Sequence, residues 1–84
     1  MRKNKPNIHV VIPAYNEEKT IGKVIRAIKE FDPEISVVVV DDGSDDATFK
    51  VAEEAGAIVV RHSINLGQWA ALRTGFTISL MNGA

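Results

Sequence analysis

Val37-Val38-Val39-Val40-Asp41-Asp42-Gly43-Ser44 is the stretch that decides how this chain folds. Four successive β-branched residues running into a polar turn read as a strand buried on both faces, the situation of a central strand in a parallel sheet covered by helices. An earlier run, Val10-Val11-Ile12, passes in the same way into Pro13-Ala14-Tyr15-Asn16-Glu17-Glu18. In open parallel sheets, ligands settle in the crevice outside the carboxyl ends of the strands. Here two neighbouring ends carry aromatic, amide and carboxylate groups.

Outward from these two runs, apolar segments alternate with helical periodicities, the order that βαβ units produce. The pattern predicts a strand over 8–12, ended by Pro13. A helix over 17–31 follows, with Ile21, Val24, Ile25 and Ile28 at helical spacing, Asn16 as its N-cap and Asp32-Pro33 as its stop. The central strand covers 35–40 and a second helix covers 45–55, with an acidic first turn and Gly56 as C-cap. A third strand is expected over 57–60 and a third helix over 67–81, whose positions Trp69, Leu72, Phe76 and Leu80 share one face and read as core, ending as Met81-Asn82-Gly83-Ala84 unwind. Right-handed crossovers place the strands in the order 3-2-1, a three-layer Rossmann-like α/β arrangement with three helices. Strand one then lies at an edge, and Ile8-His9-Val10-Val11-Ile12 is too apolar to be left open to water, so a homodimer paired through it is expected.

With 84 residues, 45% hydrophobic and 25% charged, and a formal net charge of -1, the chain is expected to be a single soluble domain over 1–84. The balance of charge offers no footprint for nucleic acid, and Arg2, Lys3 and Lys5 read as a solvated tip. Absence of cysteine excludes disulfides and thiolate metal sites. No apolar stretch approaches a transmembrane length, and the run after Arg2-Lys3 is broken by Pro13 and lacks a small-residue cleavage site, so a cytoplasmic location is expected.

The chemistry begins at Asp41 and Asp42. Adjacent strand residues point to opposite faces, so one carboxylate looks into the crevice while the other accepts backbone N–H groups in the Gly43-Ser44 turn. Asp42 is the one expected to face a ligand, where an acceptor-only group suits ribose hydroxyls or a base N–H. An Asp-Gly turn with a Ser or Asp cap needs no ligand, and the neighbouring loop decides the matter: Pro13 fixes φ, Ala14 keeps the loop thin, and Tyr15 offers a ring on which a base can stack. Glu17 is favoured over Glu18 for contact. The third loop, Arg61-His62-Ser63-Ile64-Asn65-Leu66-Gly67-Gln68, leads into a helix N-terminus able to receive a phosphate, with His62 read as solvent-facing and His9 as structural.

In this order and spacing, the first two loops and Asn65-Leu66-Gly67-Gln68-Trp69-Ala70-Ala71-Leu72-Arg73-Thr74-Gly75-Phe76 resemble the nucleotide-binding start of the inverting glycosyltransferases of family 2, which include polyprenyl- and dolichyl-phosphate sugar transferases. The resemblance implies the GT-A fold, with Pro13, Ala14, Tyr15, Glu17, Asp41 and Asp42 around the nucleoside of a UDP- or GDP-sugar and Asn65, Gly67 and Gln68 beside it. It also implies Mg2+ or Mn2+ in a full-length relative, held by an Asp-x-Asp on a fourth strand. These 84 residues contain no Asp-x-Asp and no residue whose context assigns it the catalytic base, so the expectation is a truncated donor-binding domain with no cofactor of its own and no transfer alone. A stand-alone nucleotide-binding module and a homodimeric assembly unit are the alternatives. A dinucleotide oxidoreductase is disfavoured by the lack of Gly-x-Gly-x-x-Gly after strand one.

Overall fold

The computed structural model describes residues 8–83 and contains three strands and three helices in strict alternation: β1 (His9–Ala14), α1 (Ile21–Phe31), β2 (Ser36–Asp41), α2 (Thr48–Glu54), β3 (Ile58–Arg61) and α3 (Gln68–Met81). The basic tip at Arg2, Lys3 and Lys5 and the terminal Ala84 lie outside the described residues. The sheet is parallel throughout, in the order β1-β2-β3, which is the expected 3-2-1 viewed from the other side. Register pairs Val10 with Val37, Ile12 with Val39 and Ala14 with Asp41 on one side of the central strand, and Val39 with Val59 on the other.

Side-chain alternation along this register sorts the molecule into layers. Val10, Ile12, Val37, Val39 and Val59 face α1 and α2 and pack with Ile21, Ile25 and Ala52. Val11 and Val40 face α3, where both lie under Gly75. Residues 37–40 are at most 1% exposed, so the central strand is enclosed as its four consecutive valines require. Each such side chain contributes roughly 1.5–3 kcal/mol on burial.

Pro13 lies within β1 and does not end it. The N–H groups of Ser36 and Asp42 donate to the carbonyls of Ile8 and Ala14, so even-numbered residues of β1 turn their backbone toward β2. Pro13 belongs to the odd set, and its missing donor falls on the open edge, where a sheet tolerates proline. The start of α1 also differs from expectation. Asn16 adopts φ +53° and does not cap the helix; residues 17–20 form a turn in which Thr20 and Ile21 both donate to the carbonyl of Glu17. Similarly, α2 begins at Thr48, because residues 45–47 are held in the loop by side-chain bonds.

The largest correction concerns α3. Its buried residues are Ala71, Gly75 and Ser79, whereas Trp69, Phe76 and Leu80 are 81%, 59% and 72% exposed. The helix approaches the sheet so closely that a Cβ on Gly75 would lie 2.2 Å from Val11 Cγ1. Close approach selects small residues, and the bulky apolar flank is turned aside.

Candidate functional site

The two carboxylates that follow the central valines do diverge. Asp41 shares the α1/α2 face, is fully buried, accepts the Ser44 N–H at 2.9 Å and pairs with Arg61, whose Nε and Nη2 lie 3.2 and 3.1 Å from Oδ2. Arg61 in turn covers the ring of Phe49, 5.0 Å from its centroid. Asp42 points to the α3 face. It is 4% exposed and accepts the N–H of Leu66 at 2.9 Å, the N–H of Gly67 at 2.7 Å and His62 Nδ1 at 2.8 Å. Burial alone raises the pKa of this carboxyl, but the bonds from Leu66, His62 and Gly67 outweigh it and hold the group below the ordinary carboxylate range.

Asp42 therefore anchors the third loop to the end of β2. Leu66 and Gly67 are the residues immediately before α3, so their N–H groups, expected to await a phosphate, are already engaged by the carboxylate. Gly67 also donates to Asn65 Oδ1 at 3.0 Å, which folds Asn65 into its own turn. Gly43 makes room for this loop. It has φ +80°, and a Cβ there would lie 2.7 Å from the backbone of Ile64 and Asn65.

The first two loops are cross-linked as firmly. Asn16 donates its N–H to Ser44 Oγ at 2.8 Å and accepts the Asp45 N–H on Oδ1 at 2.9 Å. Glu17 N–H donates to Thr48 Oγ1 at 2.8 Å, and Ala47 N–H to Glu18 Oε1 at 2.9 Å. Asp46 accepts the hydroxyl and N–H of Thr48 and the N–H of Glu18; although burial raises its pKa, these bonds lower it overall. Glu18, not Glu17, is thus the acid that the loops use to hold one another.

Between the fixed loops lies a recess of about 90 Å³ lined by Pro13, Ala14, Tyr15, Glu17, Asp42 and Gln68. It opens outside the carboxyl ends of β1 and β2 and brings together one aromatic ring, two acids and one amide. Asp41, on the opposite sheet face, is not among its lining residues, and neither are Asn65 and Gly67. His62 was the residue that sequence reasoning missed. Its side chain is only 11% exposed, with Nδ1 on Asp42 and Nε2 2.8 Å from Thr74 Oγ1.

Residues 9–80 match the profile of glycosyl transferase family 2. The chain belongs to that family. This family 2 chain is 46% identical over 78 residues to an uncharacterized protein of Methanocaldococcus jannaschii, an alignment covering 93% of the chain and 32% of the relative. It is 38% identical over 79 residues to the undecaprenyl-phosphate 4-deoxy-4-formamido-L-arabinose transferase of Proteus mirabilis, covering 82% of the chain and 24% of that protein. Among solved structures, a mannosyltransferase from Pyrobaculum calidifontis, in complex with GDP-Man and Mn2+, superposes with a TM-score of 0.79 at 27% identity, covering 89% of this chain and 25% of that one. The family 2 chain thus spans about a quarter to a third of these relatives, and its sheet and helices are the Rossmann-like part of a GT-A fold. No described helix is long and apolar enough to cross a membrane.

Proposed function

We propose that the recess at the ends of β1 and β2 binds the nucleoside part of a UDP- or GDP-sugar. The observation that carries this reading is that Tyr15, Asp42 and Gln68 line one recess at the strand ends although they come from three separate loops. The Tyr15 side is 42% exposed and available for stacking. Asp42, ionised and acceptor-only, has three of about four acceptor positions filled from within the protein, leaving one for a donor on the ligand. The GDP-Man bound by the Pyrobaculum calidifontis mannosyltransferase supports a nucleotide-sugar as the ligand class.

The Mn2+ of that relative has no fitting donor set in the described residues here. Asp41 and Asp42 face opposite sides of the sheet and are already bonded, and no three His, Asp or Glu side chains among the described residues converge on a point. The role proposed for these residues is donor binding. Nucleotide titration followed by backbone NMR tests the proposal: UDP or GDP should shift the amides of Ala14, Tyr15, Asp42 and Gln68 saturably at millimolar concentration without added metal. Saturable shifts confined to other surfaces, or none, would remove the recess as the site.

A second reading concerns assembly. Among the described residues β1 is an edge strand, and we propose that a second copy of the chain pairs with it.

A further inference from the structure

We infer that His62 is the positioning residue of the nucleotide recess, orienting Asp42 and the turn at residues 66 and 67 without itself touching the ligand; this rests on the reading of the recess just given. His62 follows β3 directly and lies on the α3 side of the sheet, where its ring bridges two other elements: Asp42 at the end of β2 and Thr74 in the second turn of α3. Both contacts are 2.8 Å, and the side chain is 11% exposed.

The chemistry of the partners fixes the ring. An ionised carboxylate only accepts, so Nδ1 carries the proton and donates to Asp42 Oδ1; in the neutral ring Nε2 then accepts, and the Thr74 hydroxyl donates. His62 is held as one tautomer. Its bond and that of Leu66 occupy Oδ1, while Gly67 occupies one side of Oδ2. These three donors set the plane of the carboxylate and leave one acceptor position of Oδ2 open, on a residue that lines the recess. The two N–H donors belong to a loop that has to be placed itself. His62 is the only one of the three donors tied to a second element by a side-chain bond, through Thr74. It is absent from the lining of the recess with Tyr15 and lines instead a wider cavity of about 320 Å³ on the α3 side, together with Leu66, Arg73 and Thr74. Any effect on the ligand therefore passes through Asp42 and the turn that Asp42 holds.

Two conservative variants separate this role from simple packing. The amide nitrogen of asparagine reaches the place of Nδ1, and that of glutamine the place of Nε2. His62→Asn keeps the donor to Asp42 and loses Thr74, while His62→Gln keeps Thr74 and loses Asp42. UDP or GDP affinity should fall in both variants, by about tenfold or more in His62→Gln, the usual cost of removing a bond to a buried charge, and by less in His62→Asn, where the donor to Asp42 is kept and its tie to α3 is lost. Hydrogen exchange gives a readout without nucleotide: the Leu66 and Gly67 amides should exchange faster in His62→Gln than in His62→Asn. Equal exchange in the two variants overturns the inference, whatever the affinities. A parent chain that binds neither nucleotide, with the exchange difference present, instead sinks the reading of the recess and leaves the His62 to Asp42 linkage standing.

Discussion

A buried carboxylate that accepts three hydrogen bonds makes a specific contribution to acid stability, and Asp42 is that group. Its pKa in the folded chain lies below 3.8, the value of the unfolded group, so its stabilisation is complete above that value and is lost as pH falls through the lower folded one. Asp42→Asn puts an amide among donors. At neutral pH it should cost about 1–3 kcal/mol, the range for an unsatisfied buried polar group. The difference from the parent should narrow by about pH 3. Urea midpoints at the two pH values test this, and a difference that persists in acid would mean that another group governs the loss. The divergence of Asp41 and Asp42 was legible in the sequence because strand alternation is local. The role of His62 was not. Its partners, Asp42 and Thr74, are 20 and 12 residues away, and a histidine inside an irregular loop carries no periodicity by which to assign a face.

At the scale of elements, strands were the easier reading and helix faces the harder one. An uninterrupted valine run needs both faces covered, so β2 announces its place without knowledge of its partners. In α3 the large apolar residues at 69, 72, 76 and 80 suggest a core face, yet the helix rests on Ala71, Gly75 and Ser79. The deciding quantity is the distance from helix to sheet, which no periodicity encodes. Gly75→Ala tests that distance. Alanine favours a helix by up to about 1 kcal/mol over glycine. Here, however, its methyl would meet Val11 Cγ1 at 2.2 Å and Val40 Cγ2 at 3.3 Å. Both neighbours are short and β-branched, Val40 is fully buried and the approach to Val11 is below any ordinary contact distance, so overpacking of about 1–3 kcal/mol should prevail. Thermal unfolding should show a lower Tm than the parent; a higher one would mean that α3 can lift from the sheet without penalty. The late start of α1 has a comparable origin, since Asn16 has the composition of an N-cap but spends both backbone and side chain on the loop of Ser44 and Asp45.

For the whole molecule, the open edge and the exposed flank of α3 form one surface. Thr74 reaches His62 at the end of β3, so the side of α3 bearing residues 74, 77 and 78 leans toward β3. By the 100° step of the helix, Trp69, Leu72, Phe76 and Leu80 lie on the opposite flank, on the side of the β1 edge that has no partner strand among the described residues. That edge presents the backbone of His9 and Val11, with Pro13 limiting its length. A strand edge unpaired among the described residues, beside an apolar flank, fits an added strand that also carries apolar side chains, and an antiparallel copy of β1 across a two-fold axis supplies one. The dimer proposed above should then show concentration-dependent mass in sedimentation equilibrium. Replacing Phe76 and Leu80 together by lysine alters side chains already exposed in the single chain, so the circular dichroism spectrum should be unchanged while association weakens tenfold or more through charge repulsion and lost apolar contact. Val11→Lys is the poorer test, because Val11 packs under Gly75 and its replacement would unfold the α3 layer before it reported on the edge. If the parent chain stays monomeric at all concentrations, or the double variant associates as strongly as the parent, the edge of β1 is not where copies meet.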